Sequence, residues 1–250
     1  MIPIDKLECV VRFDAGQGTG SAFTLEVDNK QYLITARHLV GETKNPTEIR
    51  LWLFDRWHEI EVKLVGTGTD QFPPESDFAV FACQERITTF SQTATRGSFY
   101  LSQDVYFLGY PYNNMTDGLW SPNLAFPLVK KAIVSGVMKT SIKPGLLVLD
   151  GHNNPGFSGG PVLAQSPEDQ QIRVIGIVSG YKTDLMPIDG KDELWVEVNA
   201  GIIYATPMAQ ILDAIEINPI GHPIEAGWIG PLQGLLGEPR IEHNVGQVDP

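Results

Sequence analysis

One stretch near the middle of the chain constrains the fold most. Residues 154–161 read Asn-Pro-Gly-Phe-Ser-Gly-Gly-Pro. Three glycines and two prolines in eight residues indicate a tight turn, and the apolar run from Val162 leads that turn into a strand. A serine held on such a turn exposes its hydroxyl, and the backbone N–H groups of Gly156 and Ser158 can face one oxygen atom. Ser158 is therefore a candidate nucleophile, with Gly156 and Ser158 as a candidate oxyanion hole.

A serine hydroxyl is a poor nucleophile near neutral pH, so this hypothesis requires a base and a group that orients the base. His38 stands at the end of an apolar segment, and Asp77 stands at the start of another. The chain order His38, Asp77, Ser158 is one of the convergent orders of the Ser-His-Asp triad. In that arrangement His38 takes the serine proton, while Asp77 fixes the imidazole tautomer and stabilises the imidazolium.

The rest of the chain favours strands over helices. It has 25 glycines and 18 prolines in 250 residues, which indicates many turns. Only Pro207–Ile217 has a helical period of apolar residues. The sequence predicts an all-β fold of two six-stranded antiparallel β-barrels with a C-terminal helix and an irregular tail. Among the predicted strands are Leu7–Phe13, Val174–Val178, Leu194–Val198 and Ile202–Ala205.

These patterns also divide the chain into domains. A polar segment without periodicity separates the two strand-rich halves, and the end of the chain is irregular but keeps apolar side chains. We expect the following order: an N-terminal barrel with His38 and Asp77, a connector, a C-terminal barrel with Ser158 and the helix, and an acidic tail packed on the body. The boundaries are residues 1–85, 86–100, 101–217 and 218–250.

The charge of the chain excludes some classes of partner. The net charge is −12, and residues 166–250 alone carry 4 basic and 13 acidic side chains. Such a surface disfavours nucleic acid and anionic membranes as partners. The histidines lack the spacing of a metal site, and we expect neither a metal nor a cofactor.

The compartment is inferred from cysteine usage and the absence of membrane signals. Only Cys9 and Cys83 are present, too few for the disulfide framework of a small secreted domain. The N-terminus lacks a signal-peptide pattern, and no apolar run approaches the ~20 residues that span a membrane. These features predict a cytoplasmic protein.

Four collinear motifs carry a resemblance to a known family. They are Gly-Thr-Gly-Ser-Ala-Phe at 18–23, Thr-Ala-Arg-His at 35–38, Asp-Phe-Ala-Val at 77–80, and the serine turn at 154–161. With them the chain resembles the trypsin-like (chymotrypsin-fold) serine peptidases, most closely the bacterial HtrA-type branch. The segment after residue 217 is too short for the PDZ domain that usually follows in that branch, so we expect a member without one.

The resemblance implies a fold, an activity and further site residues. It implies two perpendicular barrels with the catalytic residues in the cleft between them, and a serine endopeptidase that acts on polypeptides through an acyl-enzyme. The strand at Ser179 and Gly180 would run beside the substrate backbone, with the Ser179 hydroxyl near Asp77. His152 would lie at the back of the primary specificity pocket. A regulatory protein is a further candidate partner, and the oligomeric state is open.

Two residues depart from the family pattern. Arg37 occupies a place that usually holds a small residue beside the histidine. Phe157 replaces the acidic residue that receives a new N-terminus in the zymogen-activated digestive branch, so we do not expect activation by that cleavage.

Two other functions stay open at this stage. The first is a catalytically silent or latent module that holds a peptide in the cleft. The second is an esterase of the α/β-hydrolase fold, because residues 156–160 also fit the G-x-S-x-G nucleophile elbow. That elbow requires a helix after the serine and a histidine downstream of it, whereas the residues after Pro161 favour a strand.

Overall fold

The computed structural model describes residues 1–16, 18–41, 47–68, 76–97, 99–113, 116–118, 121–188 and 194–224. These parts of the chain are built mainly of antiparallel strands. The strands are β1 Val10–Asp14, β2 Thr19–Val27, β3 Lys30–Thr35, β4 Glu48–Leu53, β5 Arg56–Thr67, β6 Ala79–Cys83, β7 Asp104–Gly109, β8 Thr116–Gly118, β9 Ser121–Phe126, β10 Leu128–Met138, β11 Leu146–Asp150, β12 Pro161–Gln165, β13 Ile172–Pro187, β14 Trp195–Pro207 and β15 His222–Pro223. The α-helices are α1 Ile4–Leu7 and α2 Met208–Ile217.

The first sheet has the strand order β15-β3-β2-β1-β4-β5-β6. Strand β3 also pairs with β6, so strands β1 to β6 return on themselves. Their inward-facing side chains are apolar and form one core, which includes Val11, Phe13, Leu33, Ile49, Leu51 and Phe81.

The second sheet is a closed barrel with the strand order β10-β11-β14-β13-β12-β7. Its core includes Val105, Phe107, Val134, Leu149, Phe157, Val162 and Ile203. Closure removes free edges around the barrel, but β13 and β14 continue beyond their pairings with the other barrel strands.

A third apolar cluster joins the two sheets. It contains residues of the first sheet, of the barrel and of α2, among them Phe23, Leu25, Leu108, Tyr110, Leu163, Ile177 and Ile211. The Tyr110 hydroxyl adds a buried hydrogen bond across the junction to the Val10 carbonyl oxygen, at 2.8 Å. This shared core fixes the two sheets against each other and therefore fixes side chains that lie between them.

The predicted all-β fold with a C-terminal helix is confirmed. Helix α2 begins one residue after its predicted start, because Pro207 is its N-cap residue. Strand β1 begins at Val10 rather than Leu7, since the short helix α1 occupies the preceding turn. The strands predicted after residue 172 are too short, because they belong to two long paired strands.

The predicted tail lies partly outside the described residues, which end at Ile224. The first residues of this tail lie along the first sheet, where β15 pairs with the start of β3. Gly221 lies directly against the Tyr32 ring, so close that a Cβ atom there would be 2.5 Å from it. Within the described parts of the chain, no helix has the length and apolar character needed to cross a membrane.

Candidate active site

The pairing of β3 with β6 brings His38 and Asp77 together. Thr35 of β3 is opposite Ala79 of β6. The turn that follows β3 therefore meets the segment that precedes β6. The Asp77 carboxylate accepts two hydrogen bonds from His38: one from the backbone N–H to Oδ1 at 3.0 Å, and one from ring Nδ1 to Oδ2 at 2.8 Å. Two contacts from one carboxylate fix both the position and the orientation of the imidazole.

The state of the His38 ring follows from this contact. Because Nδ1 donates its hydrogen to a carboxylate, the neutral ring has its lone pair on Nε2. Nε2 makes no hydrogen bond to any residue that the structure describes, and 48% of the His38 side chain is exposed. The ring therefore presents a proton acceptor to the solvent side of the cleft.

The backbone of Asp77 is held by the other barrel. Its N–H donates to Thr206 Oγ1 at 3.0 Å, and Thr206 Oγ1 is 2.9 Å from Ser179 Oγ. Ser179 thus reaches Asp77 through the Thr206 hydroxyl and the backbone. Thr206 was missed by sequence reasoning; a polar residue that follows the apolar run 202–205 was its only signal.

Ser158 lies on the turn between β11 and β12, where the serine turn touches both sheets. Its carbonyl oxygen accepts from the N–H of Ser21 at 2.8 Å, and the next N–H, of Gly159, donates to the Val178 carbonyl oxygen at 2.8 Å. Gly159 has φ +80°, and a Cβ atom there would lie 2.1 Å from the Ser21 oxygen and 2.9 Å from the Ala36 nitrogen. Only glycine fits, and its contact with Ala36 places Ser158 beside the turn that carries His38.

The peptide before Gly156 has a fixed direction. The Pro155 carbonyl oxygen accepts from the N–H of Tyr112 at 3.0 Å. In a trans peptide the C=O and N–H point in opposite directions, so this contact turns the Gly156 N–H away from Tyr112. Gly156 has φ +104°, and a Cβ atom there would be 2.4 Å from the Tyr110 oxygen.

The peptide before Ser158 is fixed in the same way. The Phe157 carbonyl oxygen accepts from the Gly160 N–H at 2.9 Å, which turns the Ser158 N–H to the opposite side. Neither the Ser158 N–H nor the Gly156 N–H donates to any residue in the described part of the chain. Both groups are therefore available to a ligand.

Ser21 contacts both Gly156 and Ser158. The sequence did not identify it as a site residue. Its side chain is fully buried, and its Oγ donates to the Gly156 carbonyl oxygen at 2.7 Å and accepts from the Tyr110 N–H at 3.1 Å. Its backbone N–H binds the Ser158 carbonyl oxygen. A serine in the glycine-rich motif at 18–23 was the available sequence signal.

The His152 side chain is exposed, and the hydrogen bond to this residue is made to its backbone. Its carbonyl oxygen accepts from Lys130 Nζ, which also donates to Asn154 Oδ1 at 3.0 Å. The neighbouring Asn153 is buried, and its carbonyl oxygen accepts from Asn199 Nδ2 at 2.6 Å. These contacts fasten the segment before the serine turn to β10 and β14. The role of His152 in a specificity pocket stays a prediction.

Gly180 and Ser179 lie on β13 beside the serine turn. A Cβ atom at Gly180 would meet no atom within 4 Å, so this position faces open space. Beyond Val178, β13 pairs with β14 on one side and with no described strand on the other. Among the described residues, this edge of β13 is therefore free from a point next to Ser158 onward, where the family resemblance predicts the substrate backbone.

The two departures from the family pattern have structural explanations. Arg37 is 6% exposed, and its guanidinium donates to the Gly41 carbonyl oxygen at the end of its own turn. Phe157 is fully buried in the barrel core, with its ring edge-on to Phe107 at a centroid distance of 4.9 Å. An apolar anchor thus stands where the digestive branch uses an ionic one.

Neither cysteine is a second candidate nucleophile, and the α/β-hydrolase fold does not fit. Both cysteines are buried, and burial raises the pKa of Cys9 and of Cys83 to about 12, so neither supplies a thiolate near neutral pH. Strand β12 follows Ser158, and the fold is all-β. The α/β-hydrolase elbow requires a helix there, so the esterase hypothesis is wrong.

Comparison with solved structures gives the same fold. The chain is similar to Rv3671c from M. tuberculosis H37Rv in an inactive form, with 16% identity and a TM-score of 0.55 over 89% of this chain and 92% of that one. A serine endoprotease from Yersinia pestis has 19% identity and a TM-score of 0.53, over 87% and 67% of the two chains. The HtrA-type protease AlgW with a tripeptide has 20% identity and a TM-score of 0.54, over 85% of this chain and 62% of AlgW. None of the curated proteins matches this chain in sequence.

The sequence also matches one protein family directly. Residues 18–177 match the family described as trypsin-like peptidase domain. The matched range includes His38, Asp77 and Ser158, and it covers more than half of the 250 residues. The chain belongs to the trypsin-like peptidase domain family and is a serine endopeptidase.

Proposed function

We propose that the chain hydrolyses peptide bonds with Ser158 as nucleophile, His38 as general base and Asp77 as the group that orients the base. The observation that carries this proposal is the double contact of Asp77 with His38. That contact leaves Nε2 with a lone pair on the exposed side of the ring. An imidazole oriented in this way can serve as the general base for a serine.

The proposed reaction has two halves. Ser158 Oγ attacks the substrate carbonyl carbon while His38 Nε2 takes its proton. The tetrahedral intermediate then breaks the C–N bond, and His38 gives the proton to the leaving amine. Water attacks the resulting acyl-enzyme with His38 again as base, which releases the acid and restores the Ser158 hydroxyl.

The N–H groups of Gly156 and Ser158 form the proposed oxyanion hole. Support comes from the carbonyl groups of the same two peptides, which already have partners on the protein. Donors fixed before the reaction need no reorganisation when charge develops, and one such donor is worth about 10²–10³ in kcat. The fixed peptides favour an active enzyme over a latent module.

The substrate is a polypeptide, as the family implies, and we propose that its backbone pairs with β13 at Ser179 and Gly180. Strand addition at this edge would place a carbonyl carbon over Ser158. A regulatory protein partner, the exclusion of nucleic acid and membranes, and a cytoplasmic location stay predictions.

A peptide-library experiment tests this proposal. Purified wild type is incubated with a mixture of peptides of known sequence, and the products are identified by mass spectrometry beside the Ser158→Ala variant. We expect cleavage by wild type and a loss of at least about 10³-fold in the variant. Folded wild type that cleaves no peptide, or equal cleavage by the variant, contradicts the proposal.

Ser21→Ala should lower turnover without touching the proposed triad. The change leaves the Gly156 carbonyl oxygen and the Tyr110 N–H without their buried partner, at a cost of about 1–3 kcal/mol. Because the peptide that follows one oxyanion donor, between Gly156 and Phe157, becomes less fixed, we expect kcat to fall roughly 10- to 100-fold with a smaller change in KM.

The control is Ser135→Ala, an exposed serine on β10. Its kcat and its unfolding midpoint should match those of wild type. If Ser21→Ala loses stability but keeps wild-type kcat, the hydroxyl is structural only and the positioning role is wrong.

A further inference from the structure

The two longest strands extend past the barrel as a two-stranded ribbon. Strand β13 pairs with β12 only as far as Ile177, whereas it pairs with β14 as far as Pro187. One further hydrogen bond, from the Ile188 N–H to the Leu194 carbonyl oxygen at 2.9 Å, continues the ladder. We call residues 183–188 and 194–199 the ribbon.

Apolar side chains cover both faces of the ribbon. Residues opposite each other in an antiparallel pair share a face. Met186 is therefore beside Val196 on one face, and Leu185 lies on the other face with Trp195. Six apolar side chains of the ribbon are between 41% and 66% exposed: Leu185, Met186, Ile188, Leu194, Trp195 and Val196.

Isolated two-stranded ribbons are marginal in water, and a contiguous exposed apolar patch marks an interaction site. The charged groups near the base of the ribbon already have partners within it. Lys182 Nζ is 3.5 Å from Asp184 Oδ1, and the Thr183 hydroxyl donates to Glu197 at 2.5 Å. The ribbon therefore offers apolar surface rather than unpaired charge.

The base of the ribbon is attached to the serine turn. Asn199, opposite Thr183, donates to the carbonyl oxygen of Asn153 at 2.6 Å. Val178 of β13 accepts from the N–H of Gly159 at 2.8 Å. One strand, β13, thus leads from the serine turn to the exposed apolar side chains, with register shifts against β14 between Val178 and Gly180 and between Tyr181 and Thr183.

We propose that the ribbon binds an extended, apolar segment of the polypeptide substrate on the N-terminal side of the bond that is cleaved. This inference rests on the proposed function. A substrate strand that pairs antiparallel with β13 from Ser179 brings residues about six to eight positions upstream of that bond opposite Leu185–Pro187. Aliphatic or aromatic side chains at those positions cover the ribbon, and the backbone hydrogen bonds supply the register.

Continuity favours the substrate over a second copy of the chain. The same strand edge serves the proposed scissile bond and the ribbon, so one extended occupant can satisfy both. A second copy paired along this edge would occupy the positions that the proposed function assigns to the substrate.

A matched peptide pair tests the inference. Both peptides share the residues next to a bond found in the library experiment and differ only at six to eight positions upstream, where one has Leu and Ile and the other has Ser and Asn. Wild type should cleave the apolar peptide with a kcat/KM at least roughly tenfold higher, which is the effect of about one buried apolar side chain.

The double variant Met186→Ser, Val196→Ser should bring this ratio close to one. The control is Val137→Ser, which changes an apolar residue of β10 that is 49% exposed and lies outside the ribbon. This variant should keep the wild-type ratio. Both kcat/KM values are measured with the same enzyme preparation. A partly unfolded variant therefore lowers both values by the same factor and leaves their ratio unchanged. Equal kcat/KM values of wild type for the two peptides overturn the inference.

Binding separates this inference from the proposed function. Fluorescence anisotropy with the Ser158→Ala variant measures the affinity of both peptides without cleavage. Tighter binding of the apolar peptide supports the ribbon site independently of any rate of cleavage. Cleavage with no preference in rate or affinity rejects the ribbon site alone. A dimer that the double variant converts to a monomer, without a peptide preference, makes the ribbon a contact between copies and also overturns the inference.

Discussion

Replacing Asp77 with asparagine should lower kcat by about 10⁴ while the fold is kept. The reason lies in the two contacts with His38. The asparagine oxygen can still accept from the His38 backbone N–H, as Asp77 Oδ1 does at 3.0 Å. Its NH₂ group then faces ring Nδ1, where Oδ2 now accepts at 2.8 Å. The ring responds by moving its hydrogen to Nε2, and this tautomer cannot take a proton from Ser158.

The measurement is steady-state kinetics on a cleavable peptide, together with the ¹⁵N NMR spectrum of His38, which reports the tautomer. Asp213→Asn is the matched control, because Asp213 is an exposed carboxylate of α2 paired with Arg96. It should keep wild-type kcat. An Asp77→Asn enzyme with near-wild-type kcat contradicts the assigned role of Asp77.

Phe157→Ala should lower the free energy of unfolding by about 3–5 kcal/mol, the usual cost of removing a buried phenylalanine. The ring is fully buried against Phe107, and it lies between the two residues proposed as the oxyanion hole. The loss of this anchor loosens Gly156 and Ser158, so kcat should fall as well under conditions where the variant is still folded.

Urea unfolding measures the change, with an unchanged m-value as evidence that the native state is intact. Phe157→Leu should recover much of the stability, since it refills most of the space. Phe90→Ala is the control for a phenylalanine that is 46% exposed, and it should cost less than about 1 kcal/mol. A Phe157→Ala variant as stable as wild type shows that the ring is not the anchor.

The sequence predicted the fold class and the contact of His38 with Asp77 because both depend on short motifs at strand ends. An apolar strand followed closely by a histidine, and another preceded closely by an aspartate, are local patterns. The helix at 208–217 is equally local, with a clear apolar period and a proline at its start.

The residues that the sequence did not reveal act over long separations. Ser21 binds Gly156 across 135 residues, and Thr206 binds Asp77 across 129. Each is one ordinary hydroxyl side chain, and its local sequence does not identify the distant residue that it binds. Phe157 is a similar case. The sequence showed that an acidic residue is absent at this position, but it did not show that the Phe157 ring packs against Phe107 on β7 instead.

The first strand of the ribbon, residues 183–188, was missed for a different reason, whereas a strand was predicted over Leu194–Val198. Strand prediction relies on alternation between a buried and an exposed face, and residues 183–188 lack it because both of their faces are exposed. Only tertiary pairing with β14 gives this segment its conformation, and a sequence pattern cannot supply that pairing.

Covalent labelling of the native protein with a fluorophosphonate, followed by tandem mass spectrometry of the labelled peptide, tests directly whether Ser158 is an activated nucleophile. An activated serine next to a base and an oxyanion hole attacks the phosphorus atom and releases fluoride. We expect one adduct, located at Ser158, that is absent in Ser158→Ala and strongly reduced in Asp77→Asn. A folded wild-type protein without an adduct, or with its adduct at another residue, contradicts this role of Ser158.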